Sequence, residues 1–346
     1  MKNALNFKAP FSCMVPRVNF INCFSSVYVH LEGIGEKMAR KCGKKNCGAC
    51  NYFQLFAAMA GDGFTRRHYG AEPSEMQKLI GNYGDYECGT DYTVDFLFGY
   101  AGYAYRKLAD PAVFKTAIID LIAAGRPVIA KAGAQFHVII GYRGDKLICP
   151  DYKYAQNRPK KAPGFGELDE LFIFGDKITP RFTLMDGLER SRRMLECNIN
   201  EKIWDKYIEE IQEKIILPSD GKSTELELEE KKKVMGELKE AAWCAWSVWN
   251  FLCAFDKWQS AENPVLEGVS DEKREQFSHI FKEIWGRSCE SMDLGHAITY
   301  LHKKIEWPNN PAPGGLGMML VMTVNKYKEL DAQLLVLINQ AIETLK

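Results

Sequence analysis

His137-Val138-Ile139-Ile140-Gly141-Tyr142-Arg143-Gly144-Asp145-Lys146-Leu147-Ile148-Cys149-Pro150-Asp151 carries the pattern that decides the fold class. Two apolar, β-branched runs flank Arg143-Gly144-Asp145, which has the composition of a tight turn between antiparallel strands. If Tyr142 or Arg143 pairs with Lys146 or Leu147, stepping outward brings His137 opposite Asp151 or Tyr152. Cross-strand neighbours on one face have Cβ atoms about 4.5–5.5 Å apart, so a carboxylate can reach an imidazole nitrogen. A carboxylate on one ring nitrogen fixes the tautomer and leaves the other nitrogen as a base toward a thiol. The competing interpretation is a strand with an incidental His and a loop Asp.

Working outward, Gly125-Arg126-Pro127 stops a helix that the pattern Pro111 to Ala124 predicts, and Val128-Ile129-Ala130 reads as a strand. Leu171 to Phe174 and Arg181 to Leu184 are weaker strand candidates. Earlier, Phe24 to Met38 spaces Val27, Tyr28, Leu31, Ile34 and Met38 as an amphipathic helix, and Tyr52 to Met59 and Thr93 to Tyr100 read as further helices. Two cysteines precede or open such helices, where unpaired N–H groups stabilise a thiolate. Cys23 lies in Asn22-Cys23-Phe24-Ser25-Ser26, with Asn19 and Asn22 as candidate oxyanion donors or caps. Cys50 lies in Cys47-Gly48-Ala49-Cys50-Asn51, which echoes the Cys-Gly-(Ser/Ala)-Cys-aromatic signature of papain-type proteases with Asn51 at the aromatic position. Cys23 is the preferred nucleophile and Cys50 the alternative; a merely buried thiol is the bland reading of either.

Composition shifts near residue 200, from glycine-rich segments holding most of the cysteines to helical patterns rich in Trp, Lys and Glu. Helices are predicted from about Leu188 to Ile216, Thr224 to Trp258, Asp271 to Arg287, Asp293 to Ile305 and Leu316 to Leu345. The expected division is therefore residues 1–187 as a Cys-His-Asp domain and 188–346 as a helical bundle or cap. The overall class is α+β. Lys plus Arg and Asp plus Glu both number 45, which leaves no global basic field for nucleic acid. No apolar run reaches the roughly 18 residues of a membrane span. Eleven scattered cysteines and a start without an apolar core are read as reduced thiols in a cytoplasmic protein.

The segments Asn22 to Val27, Gly125 to Ala130 and His137 to Tyr142, ending at Pro150-Asp151-Tyr152, resemble the N-terminal domain of the butirosin-biosynthesis acyltransferase family. That family is similar in turn to C39-type, papain-like cysteine peptidases. The resemblance covers residues 15 to 155 and implies a papain-like fold with Cys23 as nucleophile, His137 as base and Asp151 as the orienting acid. Two positions depart from the peptidases: Arg17 stands where a Gln usually precedes the nucleophile, and Tyr152 where a Pro commonly follows the Asp. The resemblance implies acyl transfer from a carrier-protein thioester.

Other signals are weaker. Cys42, Cys47 and Cys50, with Cys88, have part of an iron–sulfur or zinc spacing without a second close pair, so no metal or cofactor is assigned. Gly221-Lys222-Ser223 lacks the first glycine of a phosphate-binding loop. His279, His296 and His302 have no metal-ligand spacing, and Trp243, Trp246 and Trp249 read as core. The leading expectation is an enzyme that forms a thiol acyl-enzyme from a thioester or amide and passes the acyl group to an amine or water, as a transferase or hydrolase. The alternative is a catalytically inactive papain-like binding protein. Its partner in either case is a small molecule or peptide.

Overall fold

The computed structural model describes residues 2–7, 20–34, 47–66, 68, 91–133, 135–150, 161–216, 225–245, 266, 268–305 and 313–346. The architecture is α+β, with two antiparallel sheets and otherwise helices. The chain forms two compact units, Met1–Ala60 with Tyr86–Thr183, and Gly61–Asp85 with Leu184–Lys346. The second unit thus takes a piece of the first half of the chain, an excursion for which the linear division at residue 187 has no place.

The first unit is built on a four-stranded sheet in the order β2 (Tyr103–Leu108), β7 (Glu170–Lys177), β3 (Val128–Ala132), β4 (Gln135–Ile139), every pairing antiparallel. Helix α1 (Phe20–Leu31) packs on one face through rings: Phe20 meets Phe136 at 5.5 Å and Phe172 at 5.0 Å, and Phe24 meets Phe174 at 4.9 Å. Helix α2 (Cys47–Met59) lies against α1, and α3 (Asp91–Ala101) leads into β2. Helix α4 (Pro111–Ala123) covers the other face. Its start is written in the sequence: Asp110 accepts from the Ala112 N–H at 3.0 Å, Pro111 occupies the first turn, and Gly125 ends the helix at a positive φ of 78°. Phe114, Ile118 and Ile122 on α4 bury against Val128, Ala130, Ile139, Leu171 and Ile173.

The turn register is as the sequence predicts: β5 (Gly141–Arg143) pairs with β6 (Lys146–Ile148), Arg143 opposite Lys146 and Tyr142 opposite Leu147, with Gly144 at φ 59°. The strand does not run on as one hairpin arm, however. It changes sheets at Ile140, so that His137 pairs with Ala130 of β3 and belongs to the four-stranded sheet. A third strand, β1 (Lys2–Ala4), lies along β5 beyond that point. Gly141 admits it, since a Cβ there would collide with the backbone of Asn3 and Ala4.

The second unit is helical: α5 (Leu184–Asn200), α6 (Ile203–Ile211) with a π-turn at Gln212–Ile216, α7 (Glu225–Ala245), α8 (Asp271–Ile305) and α9 (Pro313–Leu345). Arg181–Thr183 is not a strand, and Leu184 already opens α5. The helix expected over 188–216 breaks at Lys202, whose φ of 51° is left-handed, while the two expected over 271–305 are one. Trp204, Tyr207, Met235, Leu238, Ile298, Leu320 and Tyr327 form its core. The Trp246, Trp249 and Gly221-Lys222-Ser223 positions lie outside the described residues, and the side chain of Trp243 does too. Among the described residues no helix is long and apolar enough to cross a membrane.

Candidate functional site

The phase of β4 decides where His137 goes. Successive side chains of a strand point to opposite faces, and Phe136 is held on the α1 face by Phe20 and Phe172. His137 therefore emerges on the α4 face, beside its partner Ala130, which packs with Ile118 and Leu171. There it is nearly sealed, at 2% exposure. Burial pushes its pKa down to about 4, with the Glu167 carboxylate pulling weakly the other way, so the imidazole is neutral at pH 7. Its Nδ1 is buried and has no hydrogen-bond partner among the described residues.

His137 forms part of the wall of a cavity of about 460 Å³. Gln135 comes from the same strand two residues earlier, hence the same face; Ala132 and Gly133 come from the turn into it. That turn is pinned by Asp169, which accepts from the Gly133 N–H at 2.6 Å and donates its own N–H to Lys131 O at 2.9 Å. The lining also takes in Lys161, Ala162 and Pro163, which lead into a short 3₁₀ turn, Phe165–Glu167. The Glu167 carboxylate folds back to accept from the Gly164 N–H, so the charge beside His137 is fixed by its own turn.

Cys23 lies on α1, the helix whose Phe20 and Phe24 pack on the sheet face opposite His137. It is fully buried, and burial, with Cys149 adding to it, pushes its thiol well above the usual range. Cys149 therefore lies near enough to Cys23 to act on its thiol. Asn22 is also fully buried on α1. Cys50 lies in the first turn of α2, but its side chain, like those of Cys47 and Asn51, is outside the described set. Asn19, Cys42, Cys88, Asp151 and Tyr152 lie outside the described residues, so the His137–Asp151 pairing is not visible. Among the described residues no three His, Cys, Asp or Glu side chains group in a way that would hold a metal ion.

The sequence reading missed Glu167, Gln135 and Lys161. Two signals were there to find them. Gln135 follows from strand alternation once His137 is chosen, and Glu167 stands three residues after Gly164, the spacing at which a carboxylate can accept from the backbone N–H that precedes its turn. No protein-family model, no curated protein and no solved structure matches this chain. Its function is therefore read from the site.

Proposed function

We propose that this chain is a papain-like binding protein, in which the His137 cavity holds a small molecule or peptide and Cys23 serves the core rather than as a nucleophile. The observation that carries this reading is the position of Cys23: fully buried, on the helix that packs against the face opposite His137. A working thiol–imidazole pair needs the two groups on one side, with the thiol open to an incoming carbonyl. Supporting it, a cavity of about 460 Å³ falls in the range of about 300–1,000 Å³ typical of small-molecule sites. Iodoacetamide labelling of the native protein at neutral pH, mapped by peptide mass, tests the reading. Cys23 is expected to react roughly tenfold or more slowly than an exposed thiol; rapid, stoichiometric labelling of Cys23 would sink it.

A second reading keeps the enzyme: a cytoplasmic cysteine-dependent acyl or peptidyl transferase or hydrolase. The observation that favours it is the protonation state of His137, a neutral imidazole beside a cavity, the form in which a general base acts. In this reading a thiol loses its proton to the imidazole and its sulfur bonds to the carbonyl carbon of a thioester or amide. The tetrahedral intermediate then expels the thiol or amine, which takes the proton back, and water or an amine resolves the acyl-enzyme. Steady hydrolysis of S-acetyl-N-acetylcysteamine that vanishes in His137→Gln and in Cys23→Ala or Cys50→Ala would establish this reading in place of the first.

A further inference from the structure

We propose that the His137 cavity recognises a zwitterion, an amino acid or short peptide that presents an ammonium and a carboxylate together; the inference rests on the cavity-binding reading above. Three groups argue for it. Glu167 and Lys161 give the cavity one charge of each sign. A ligand of a single sign would meet one of them and leave the other facing a like charge, whereas a zwitterion answers both. His137, almost wholly buried, lines the same cavity with a neutral ring beside the Glu167 charge.

The hydrogen-bond inventory fits the same ligand. An ammonium carries three donors and no acceptor. The Glu167 carboxylate spends one oxygen on the Gly164 N–H, which leaves acceptor capacity toward the cavity. His137 lines the same cavity as a neutral imidazole, and a cation lodged beside it further favours the neutral form. Lys161 then takes the carboxylate. Ala132, Gly133 and Ala162 keep the walls low, so a side chain or a second residue on the ligand has room.

The test uses the full chain with ¹³C-labelled histidine, following the His137 ring signal, assigned with His137→Gln. Four probes are titrated: L-alanine, L-alanyl-L-alanine, propionate and ethylamine. Alanine or the dipeptide is expected to shift the His137 signal saturably, with both half-ligands at least roughly tenfold weaker. Glu167→Gln and Lys161→Gln, both at exposed positions, should each weaken the zwitterion by a similar factor. Propionate or ethylamine shifting His137 as well as the zwitterion would overturn the inference and leave the cavity-binding reading intact. A His137 signal unmoved by alanine and dipeptide would overturn it too, while the thiol-labelling rates decide the broader reading separately.

Discussion

The two units each bury a group that can carry charge, and they treat it in opposite ways. In the helical unit Arg66 is 2% exposed, and its Nε and Nη2 donate to Asp331 Oδ1 at 3.2 and 2.9 Å. Nη1 donates to the Gly63 and Thr65 carbonyls, and the other oxygen of Asp331 accepts from Trp204 Nε1 at 2.7 Å. In the sheet unit His137 is equally buried, yet it is left neutral with a ring nitrogen unmatched among the described residues. A buried polar group with its partners supplied fastens a fold; one without them pays a standing penalty of about 1–3 kcal/mol that a ligand can relieve. For this pair of groups the contrast sets a fastened polar site beside one that lines a cavity.

The largest expected effect tests the fastened side. Asp331→Ala strands a buried guanidinium and the Trp204 N–H, and should cost about 3–5 kcal/mol in urea unfolding. Asp331→Asn keeps the shape and one acceptor and should cost less. If both variants unfold with the wild-type midpoint, the network is ornamental and the contrast with His137 collapses.

Next in size is the pH response of the unfastened side. His137 has a folded pKa near 4 against an ordinary value of 6.5 in the unfolded chain. Between those values the unfolded state binds the proton that the folded state refuses, so stability rises with pH across this window. The protein should therefore lose on the order of 3 kcal/mol from pH 6.5 down to 4 through this residue, on top of any carboxylate contribution. Unfolding curves of wild type and His137→Gln should diverge in slope over that window and run parallel above it. Parallel curves throughout would mean that His137 is solvated in the native state.

Much of the local structure was legible because local chemistry fixed it. The Asp110-Pro111 start and Gly125 end of α4, and the Arg143–Lys146 register of the turn, follow from caps and a positive-φ glycine. What was not legible depends on partners distant in sequence. Beyond the sheet switch at Ile140, β5 pairs at Gly141 with β1, more than a hundred residues away. The phase of β4 is a choice between Phe136 and His137 for the α1 face, and it is settled by Phe20 and Phe172, which no local pattern contains. The capture of Gly61–His68 by the helical unit likewise rests on Arg66 finding Asp331, 265 positions on.

A smaller effect probes that phase through Cys23. Fully buried, the Cys23 thiol behaves as a small apolar group, so Cys23→Ala should cost little more than its lost volume, whereas Cys23→Ser buries a hydroxyl where a thiol sat and should cost about 1–3 kcal/mol. The order matters more than the size. A nucleophile opposite His137 would instead tolerate both changes in stability and fail in both on the thioester. Thermal melts of the two variants against wild type read the difference directly.

The smallest effect is the one that isolates the cavity. Glu167 is exposed, and among the described residues its carboxylate is the charge that raises the His137 pKa against burial. Glu167→Gln removes that charge and keeps an oxygen to accept from the Gly164 N–H, so the turn should survive with stability changed by no more than about 0.5 kcal/mol. The His137 titration, followed by its ring ¹³C shift, should then move to lower pH by a fraction of a unit, because the imidazolium has lost the Glu167 charge while its desolvation is unchanged. Added salt should shrink the wild-type shift toward the variant's, since the Glu167 carboxylate is exposed to ions that screen it. A midpoint that rises in Glu167→Gln would mean that this carboxylate does not face His137 at all, and the polar half of the cavity would have to be redrawn around Gln135 and Lys161.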